Sequence, residues 1–197
     1  MNVYDFDGTI YRGDSSVDFY LFSLRRHPSI AALLPRQAAA FFRYKAKKCN
    51  KTAMKQVFFS FVKRIPDIDR EVALFWDRNE KKIYGWYREQ KCADDVIISA
   101  SPEFLLGDIC GRLELLPPIG SRVDKKSGEF SGKNCHDTEK VDRFYEIYSK
   151  EAKIDGFYSD SRSDSPLAAL ADHAYYIRKG APEPWGEIDP ACLVGEP

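Results

Sequence analysis

The sequence lacks the features that mark secreted, membrane-spanning or zinc-binding proteins. Its five cysteines form no C-x-x-C pair, and they show no zinc-like spacing with the three histidines, which lie far apart. Acidic residues arrive as early as Asp5 and Asp7, where a signal peptide would be basic and then apolar. No apolar stretch is long enough to span a bilayer. We therefore expect a cytoplasmic protein whose thiols are reduced.

An excess of charge of one sign is also missing. The chain has 30 basic residues (Lys and Arg) and 30 acidic ones (Asp and Glu) among its 197 residues. The net charge therefore gives no reason to expect a nucleic-acid partner, and we expect none. Hydrophobic residues make up 44% of the chain and aromatic residues 14%, which predicts a folded protein with a real core.

Two hydrophobic patterns divide the chain. Over residues 14–90, apolar residues recur at the spacing of helices. The uninterrupted apolar run at residues 96–98 is typical of a buried parallel strand, and short strands then alternate with helices. We predict an α/β fold, with a Rossmann-like parallel sheet core and an inserted α-helical cap domain. The predicted core comprises residues 1–12 and 93–197, and the predicted cap comprises residues 13–92.

The C-terminal half carries two further predictions. Residues 138–152 place their apolar side chains on one side at helical spacing, which predicts a single amphipathic helix. From Gly180 onwards the sequence is rich in Gly and Pro. That composition predicts a tail that wraps the surface without regular structure.

Two polar clusters follow the first two predicted strands. Asp5 and Asp7, in the run D-x-D-G-T, place two carboxylates at a strand end, although an ordinary strand-to-turn junction also contains Asp-Gly. Ser99-Ala100-Ser101 follows the apolar run, and a hydroxyl group with backbone N–H groups at a helix start suits an anion. A simple helix N-cap is the alternative interpretation of that second cluster.

Two more clusters lie further along the chain. Lys140, near a helix start, can direct its charge at a phosphate, although a solvated surface lysine is the alternative and Lys133 competes for the role. Asp160 and Asp164 follow a short strand, where one could bind a metal and the other could hold metal-bound water, or both could cap turns. Ligands of open parallel sheets bind at the carboxyl ends of strands, so we expect all four clusters to meet at one site.

The order of these clusters resembles that of the haloacid dehalogenase superfamily of phosphatases. The D-x-D-G-T motif matches at residues 5–9, and residues 96–103 resemble its phosphoserine-phosphatase-like branch, which has a helical cap. Glu139-Lys140-Val141 fits that branch, and the paired aspartates of residues 160–164 fit the last motif. The resemblance covers residues 1–12 and about 93–180, and the sequence departs from the family at Ser159, where Gly is usual.

The resemblance implies a Mg²⁺-dependent phosphomonoester hydrolase that forms an aspartyl phosphate. By resemblance, Asp5 is the nucleophile and Asp7 is the general acid and base. The implied Mg²⁺ ligands are the Asp5 carboxylate, the Asp7 main-chain carbonyl and Asp160, with Asp164 acting through water. The implied phosphate-binding groups are those of Ser99, Ala100 and Lys140.

The substrate is the least determined part of the prediction. A small phosphorylated metabolite such as phosphoserine is our main expectation. In the phosphoserine-phosphatase branch, an acidic residue at the place of Asp14 meets the substrate amine. An N-cap role for Asp14 is the alternative, and we favour it.

A second expectation about the substrate comes from residues 29–48. They combine apolar side chains on one face with many lysines and arginines, a pattern that can lie on an anionic membrane. Residues 158–167 are also similar to bacterial phosphatidylglycerophosphate phosphatases, so a lipid phosphatase with peripheral membrane contact is an alternative function. Packing of that face inside the cap is the interpretation that we favour. A catalytically impaired phospho-ligand binding or regulatory module remains a third alternative. The sequence does not determine the oligomeric state.

Overall fold

The computed structural model describes residues 1–186, and in that range six strands form one sheet. The strands are β1 (Asn2–Tyr4), β2 (Val96–Pro102), β3 (Ile119–Ser121), β4 (Ile154–Ser159), β5 (Ala171–Arg178) and β6 (Ala181–Pro184). Their order across the sheet is β3-β2-β1-β4-β5-β6. All neighbours are parallel except β5 and β6. The predicted α/β fold with a Rossmann-like parallel sheet is therefore confirmed.

Helices occupy the long stretch between β1 and β2, which we call the helical segment (residues 15–90). Its α-helices are α1 (Ser15–Arg26), α2 (Leu34–Lys45), α3 (Lys51–Phe59), α4 (Ile68–Asn79) and α5 (Gly85–Gln90). The side chains of Asp14, Asn50 and Asp67 each accept a hydrogen bond from the backbone N–H three residues later, which fixes the starts of α1, α3 and α4. The predicted N-cap at Asp14 is therefore present.

Three further α-helices follow strands β2, β3 and β4 in turn. They are α6 (Glu103–Arg112), α7 (Thr138–Tyr145) and α8 (Ser165–Ala168). The strand β1 is buried on both faces, because Val3 packs into one hydrophobic cluster and Tyr4 and Phe6 pack into another. The helical segment shares the second cluster: the Trp76 ring packs against Phe6, and its indole N–H donates to the Leu105 carbonyl at 2.8 Å. This packing holds the helices over the carboxyl end of β1.

Two predictions for the C-terminal half need correction. The helix predicted over residues 138–152 ends at Tyr145, although a turn continues as the Tyr148 N–H bonds to the Phe144 carbonyl. The predicted irregular tail is wrong for Ala181–Pro184, which forms β6 against β5. Lys179 and Gly180 both have positive φ, so they make the tight turn of a hairpin, and an edge strand tolerates proline. The rest of that tail, residues 187–197, lies outside the described residues.

The α2 helix also differs from our expectation. Ala40 is its one buried residue, whereas Phe41 and Phe42 are 46% and 69% exposed. The expectation that the apolar face of residues 29–48 packs inside the cap is therefore wrong for α2. Residues 28–33 form a 3-10 helix that buries Ile30, and the different period of that helix breaks the apolar face before α2 begins.

Candidate active site

The four predicted polar clusters meet at the carboxyl ends of the central strands. Asp5 follows β1, Ser99 lies in β2, Asp160 follows β4 and Lys140 lies in the first turn of α7. A cavity of about 460 Å³ opens there between the sheet and the helical segment. The sequence-predicted residues that line it are Asp5, Asp7, Asp14, Ser99, Ala100, Lys140 and Asp164.

A buried ion-pair group forms the floor of this cavity. The Lys140 Nζ atom lies 2.7 Å from Asp5 Oδ1 and 2.7 Å from Asp164 Oδ2. Burial raises the pKa of Asp5 to about 7, although the Lys140 ammonium acts to lower it. Burial also acts to lower the pKa of Lys140, but the Asp164 and Asp5 carboxylates outweigh it and raise that pKa. Lys140 therefore stays charged between two carboxylates.

The second carboxylate of the first motif has its own hydrogen-bond donors. Asp7 accepts hydrogen bonds from the backbone N–H of Ser15 at 2.6 Å and from the Ser101 hydroxyl. Burial, followed by the nearby Asp14 carboxylate, raises the pKa of Asp7 to about 6, against the hydrogen bond from Ser101. A carboxyl group with such a pKa can exchange a proton near neutral pH.

Asp160 lies against the loop that carries Asp5 and Asp7. Its backbone N–H donates to the Thr9 hydroxyl at 3.0 Å, and that hydroxyl donates to Asp5 Oδ2 at 3.2 Å. Gly8 has φ +74°, and a Cβ atom there would lie 1.9 Å from Asp160 Oδ2, so only glycine permits this approach. Asp160 contacts this loop although it does not line the cavity itself.

These neighbouring oxygen atoms fit a hard divalent cation. The carboxylates of Asp5 and Asp160 and the carbonyl group of Asp7 are the type of donor that Mg²⁺ prefers. The absence of a side chain at Gly8 lets the Asp160 carboxylate lie against the loop that carries Asp5 and Asp7. Burial, and then the Asp164 carboxylate, raises the pKa of Asp160, and a bound cation would favour its ionised form.

Ser159, which stands where the family usually has Gly, forms hydrogen bonds within the site. Its hydroxyl donates to Asp164 Oδ2 at 2.7 Å and accepts from the backbone N–H of Ser161 at 3.1 Å. The hydroxyl group therefore holds Asp164 in place together with Lys140. The loop after β4 keeps both aspartates at the site with serine at this position.

The remaining sequence-predicted residues are also placed. Ser99 is buried, and its hydroxyl accepts from the backbone N–H of Ser101 at 3.1 Å. Asp14 lines the cavity, but its carboxylate caps α1 through the N–H of Val17. Lys133, the competitor of Lys140, has an 81% exposed side chain near Glu139 and does not line the cavity.

The residues that the helical segment contributes to the cavity wall were not predicted from the sequence. Lys51 and Lys55 of α3 line the cavity, together with His136 from the loop before α7. Apolar side chains complete this wall, namely Val17, Phe41, Met54, Phe58 and Phe59. No motif links these residues, because tertiary packing alone turns them toward the strand ends.

Comparisons with known proteins agree with this architecture. Residues 3–169 match the family model described as haloacid dehalogenase-like hydrolase. Protein CicA of Caulobacter vibrioides is 26% identical over 198 aligned residues, which cover 91% of this chain and 86% of that protein.

Two solved structures share the fold at low sequence identity. A protein of unknown function from Bordetella pertussis Tohama I has a TM-score of 0.71 at 15% identity, with 88% of this chain and 87% of that chain covered. A phosphoserine phosphohydrolase-like protein from Francisella tularensis has a TM-score of 0.53 at 13% identity, with 88% and 86% covered.

Proposed function

This chain belongs to the haloacid dehalogenase-like hydrolases, and from that premise we propose that it is a magnesium-dependent phosphatase with Asp5 as its nucleophile. The observation that carries the proposal is the buried Asp5–Lys140–Asp164 group beside Asp7 on the floor of one cavity. The fold that it shares with the phosphoserine phosphohydrolase-like protein supports the same reaction class. We also propose the phosphoserine-phosphatase-like branch, with residues 13–92 acting as its cap.

In the proposed reaction, the Asp5 carboxylate attacks phosphorus and the bond to the leaving oxygen breaks. Asp7 gives its proton to the leaving alkoxide, and an aspartyl phosphate remains on Asp5. Asp7 then takes a proton from the water that attacks this phosphate, which releases inorganic phosphate and restores Asp5. The hydrogen bonds from Ser15 and Ser101 orient the Asp7 carboxyl group for both transfers.

Charge on the phosphoryl oxygens needs fixed positive partners. In this proposal Lys140, the hydroxyl group of Ser99 and the backbone N–H of Ala100 hold these oxygens as negative charge develops, and all three residues line the cavity. Mg²⁺, when bound by the oxygens of Asp5, Asp7 and Asp160, supplies charge that offsets the repulsion between a carboxylate and a phosphate dianion. The helical segment covers this reaction and excludes bulk water.

Hydrolysis of 4-nitrophenyl phosphate with and without Mg²⁺ tests the proposal. Asp5→Asn should lower kcat by at least about a thousandfold, because the nucleophile is lost. Asp69→Asn, which changes an exposed carboxylate outside the cavity, is the matched control and should keep full activity. An Asp5→Asn protein with near wild-type turnover would overturn the assignment. A wild-type protein that hydrolyses no phosphate ester would favour the phospho-ligand binding module.

For the physiological substrate, we propose first a small phosphorylated metabolite of the phosphoserine type. The cavity volume of about 460 Å³ accommodates such a molecule, and Asp14 lines it where a substrate amine could lie. A panel of phosphorylated metabolites, compared by kcat/KM, tests this choice. Phosphoserine as a poor substrate relative to other small esters would contradict it.

A lipid phosphate is the second candidate, because α2 exposes an apolar and basic surface beside the cavity. Phe41 and Phe42 project from this helix, and Phe41 also lines the cavity. The basic residues of α2 and of the turn after it are Arg36, Arg43, Lys45, Lys47 and Lys48, and the Lys45 ammonium lies over the Phe41 ring. Such a surface suits peripheral contact with anionic lipid. Within residues 1–186, no helix is long and apolar enough to cross a membrane.

Vesicle flotation tests the lipid candidate. The protein should float with vesicles that contain phosphatidylglycerol and not with pure phosphatidylcholine, and Phe42→Ser should weaken the binding. Leu116→Ser, which changes a 39% exposed apolar residue outside α2, is the control. Failure to float with anionic vesicles would leave the small metabolite as the proposed substrate.

A further inference from the structure

The loop after β4 carries one cation that the proposed reaction does not use. Arg162 lies midway between the two aspartates of this loop, two residues after Asp160 and two residues before Asp164. Its side chain is exposed and does not line the cavity. Arg162 therefore lies outside the substrate space, and any effect that it has on the site must pass through the backbone of the loop.

The Arg162 guanidinium lies over two aromatic rings of the β5–β6 hairpin. Its Cζ atom is 4.5 Å from the centre of the Tyr176 ring and 5.0 Å from the centre of the Trp185 ring system. Its Nη1 atom also donates to the Trp185 main-chain carbonyl. Distances of this size are typical of cation–π contacts, which arginine forms more often than lysine. Three contacts therefore fix the outer end of this side chain.

The hairpin offers a firm support for these contacts. Trp185 is 2% exposed, and its indole packs against the rings of Phe157 on β4 and Tyr176 on β5. Its backbone N–H donates to the Ala174 carbonyl at 2.9 Å. The position of Trp185 is thus determined by the sheet itself, and a loop that is attached to Trp185 is attached to the sheet.

The backbone of the loop connects this attachment to Asp160. Arg162 begins a 3-10 turn that ends at Asp164, and its carbonyl accepts a hydrogen bond from the Ser165 hydroxyl at 2.7 Å. On the other side of the loop, the backbone N–H of Asp160 donates to the Thr9 hydroxyl at 3.0 Å. The short segment between Asp160 and Arg162 is therefore held at both of its ends.

We propose that Arg162, Tyr176 and Trp185 form a clamp that positions Asp160 for metal binding, so that the β5–β6 hairpin supports the metal site from outside the cavity. This inference rests on the proposed function, which makes Asp160 a ligand of Mg²⁺. Arg162 is a positioning residue, because it acts through the loop and not on the metal or the substrate. Groups that orient a metal ligand in this way typically change the metal affinity by about 10- to 100-fold.

Calorimetric titration with Mg²⁺ tests the clamp. Arg162→Ala should raise the Kd for Mg²⁺ by about tenfold, because the metal must then order the Asp160 loop as it binds. The kcat at saturating Mg²⁺ should change much less, since the bound metal restores the position of the loop. Arg162→Lys keeps the charge but loses the planar guanidinium, so its Kd should lie between those of the wild type and Arg162→Ala.

Arg78→Ala is the matched control variant. Arg78 is also exposed, and its Cζ atom lies 5.5 Å from the centre of the Phe22 ring, in the helical segment and outside the cavity. The Kd for Mg²⁺ should be unchanged in this variant. If Arg162→Ala also binds Mg²⁺ as the wild type does, or loses thermal stability alone, the clamp is overturned.

A double variant shows whether the ring and the guanidinium act together. Tyr176→Leu removes one ring from the contact and should also raise the Kd for Mg²⁺, without removing the buried Trp185. The combination of Arg162→Ala with Tyr176→Leu should add little to the larger single effect, because both changes break the same contact. Increases in Kd that multiply in the double variant would overturn the clamp, since the two residues would then act separately.

Two further readouts separate this inference from the proposed function. In the absence of Mg²⁺, hydrogen exchange of residues 160–164 should be faster in Arg162→Ala than in the wild type, and equal rates would overturn the clamp. A protein in which Arg162→Ala weakens Mg²⁺ binding, but which hydrolyses no phosphate ester, would refute the phosphatase and retain the clamp. Turnover with an unchanged Kd in Arg162→Ala would refute the clamp alone.

Discussion

The two sides of the cavity are built in opposite ways. On the sheet side, each carboxylate that lines the cavity has a fixed partner: Asp5 and Asp164 contact Lys140, and Asp7 contacts Ser15 and Ser101. On the α3 side, Lys51 and Lys55 have no carboxylate oxygen within 4.0 Å among residues 1–186, and apolar side chains line the cavity with them. The charges of the sheet side are therefore paired within the protein before a substrate binds, whereas those of the helical side are not.

This difference has an energetic consequence that mutation can test. Removing one member of a buried ion-pair group leaves an uncompensated charge, so changes on the sheet side should destabilise the fold strongly. Removing a desolvated cation that has no counter-ion should be mild or even stabilising. The two sides should therefore respond to lysine replacement with very different changes in the free energy of unfolding: a large loss on the sheet side and a small change on the helical side.

The largest effect is expected for Lys140→Met. The change leaves Asp5 and Asp164 buried without their shared cation, and the free energy of unfolding should fall by about 3–5 kcal/mol. Urea unfolding at pH 7 measures this loss, and phosphate release should also cease. The exposed Lys133→Met is the control and should change stability by at most about 0.5 kcal/mol.

A double variant sharpens this first prediction. Lys140→Met combined with Asp164→Asn removes one of the two buried carboxylates that have lost their cation. The double variant should regain part of the lost stability without regaining activity. If Lys140→Met alone is as stable as the wild type, then the ion-pair group does not organise the sheet side.

A smaller effect is expected from metal binding on the sheet side. Mg²⁺ that binds only the folded protein should raise the free energy of unfolding by about 2.7 kcal/mol at a hundredfold excess over its Kd. Asp160→Asn should greatly reduce this stabilisation, because Asp160 lies against the Gly8 backbone where the two acidic loops meet. Thermal unfolding with Mg²⁺ and with EDTA measures the difference. Asp172→Asn, which changes an exposed residue of β5, is the control and should keep the full stabilisation by Mg²⁺. If Mg²⁺ stabilises Asp160→Asn as much as the wild type, Asp160 is not a ligand of the metal.

The polar residues of the sheet side could be predicted from the sequence because they lie at or just after the ends of strands. Each polar cluster stands next to a strand or helix boundary that local patterns reveal, and parallel strands bring those boundaries to one edge. Lys140 could be preferred to Lys133 through the family resemblance, and the structure places Lys140 on the cavity floor. The roles of these residues in the reaction remain predictions.

The helical side could not be predicted because helical periodicity identifies a face without identifying what covers it. Lys51 and Lys55 have the spacing of ordinary surface lysines. Tertiary packing alone turns both into the cavity, where Lys55 bonds to the Ala100 carbonyl. The exposure of α2 was missed because its apolar residues continue a pattern that a 3-10 helix interrupts. The β6 strand was missed because proline-rich sequence rarely signals a strand, although an edge position permits it.

The smallest effect is expected for Lys55→Met on the α3 side. In the folded protein, burial and then the charge of Lys51 lower the pKa of Lys55 from 10.5 to about 8, although Asp14, Asp7 and Cys135 act to raise it. Between these pH values the unfolded chain binds more protons at this site, so the penalty for the charged lysine is present at pH 7 and disappears as the pH rises toward about 10.5.

Methionine removes this penalty and fits the apolar wall, but it also gives up the hydrogen bond to the Ala100 carbonyl, which contributes about 1 kcal/mol. The net change at pH 7 should therefore be small, and the variant should lose stability relative to the wild type when the pH is raised to 10. Urea unfolding of both proteins at pH 7 and pH 10 measures this change, with Lys91→Met as the reference for a lysine–carbonyl bond outside the cavity. A stability difference that is the same at both pH values would mean that Lys55 is not desolvated, and the contrast between the two sides of the cavity would then not hold.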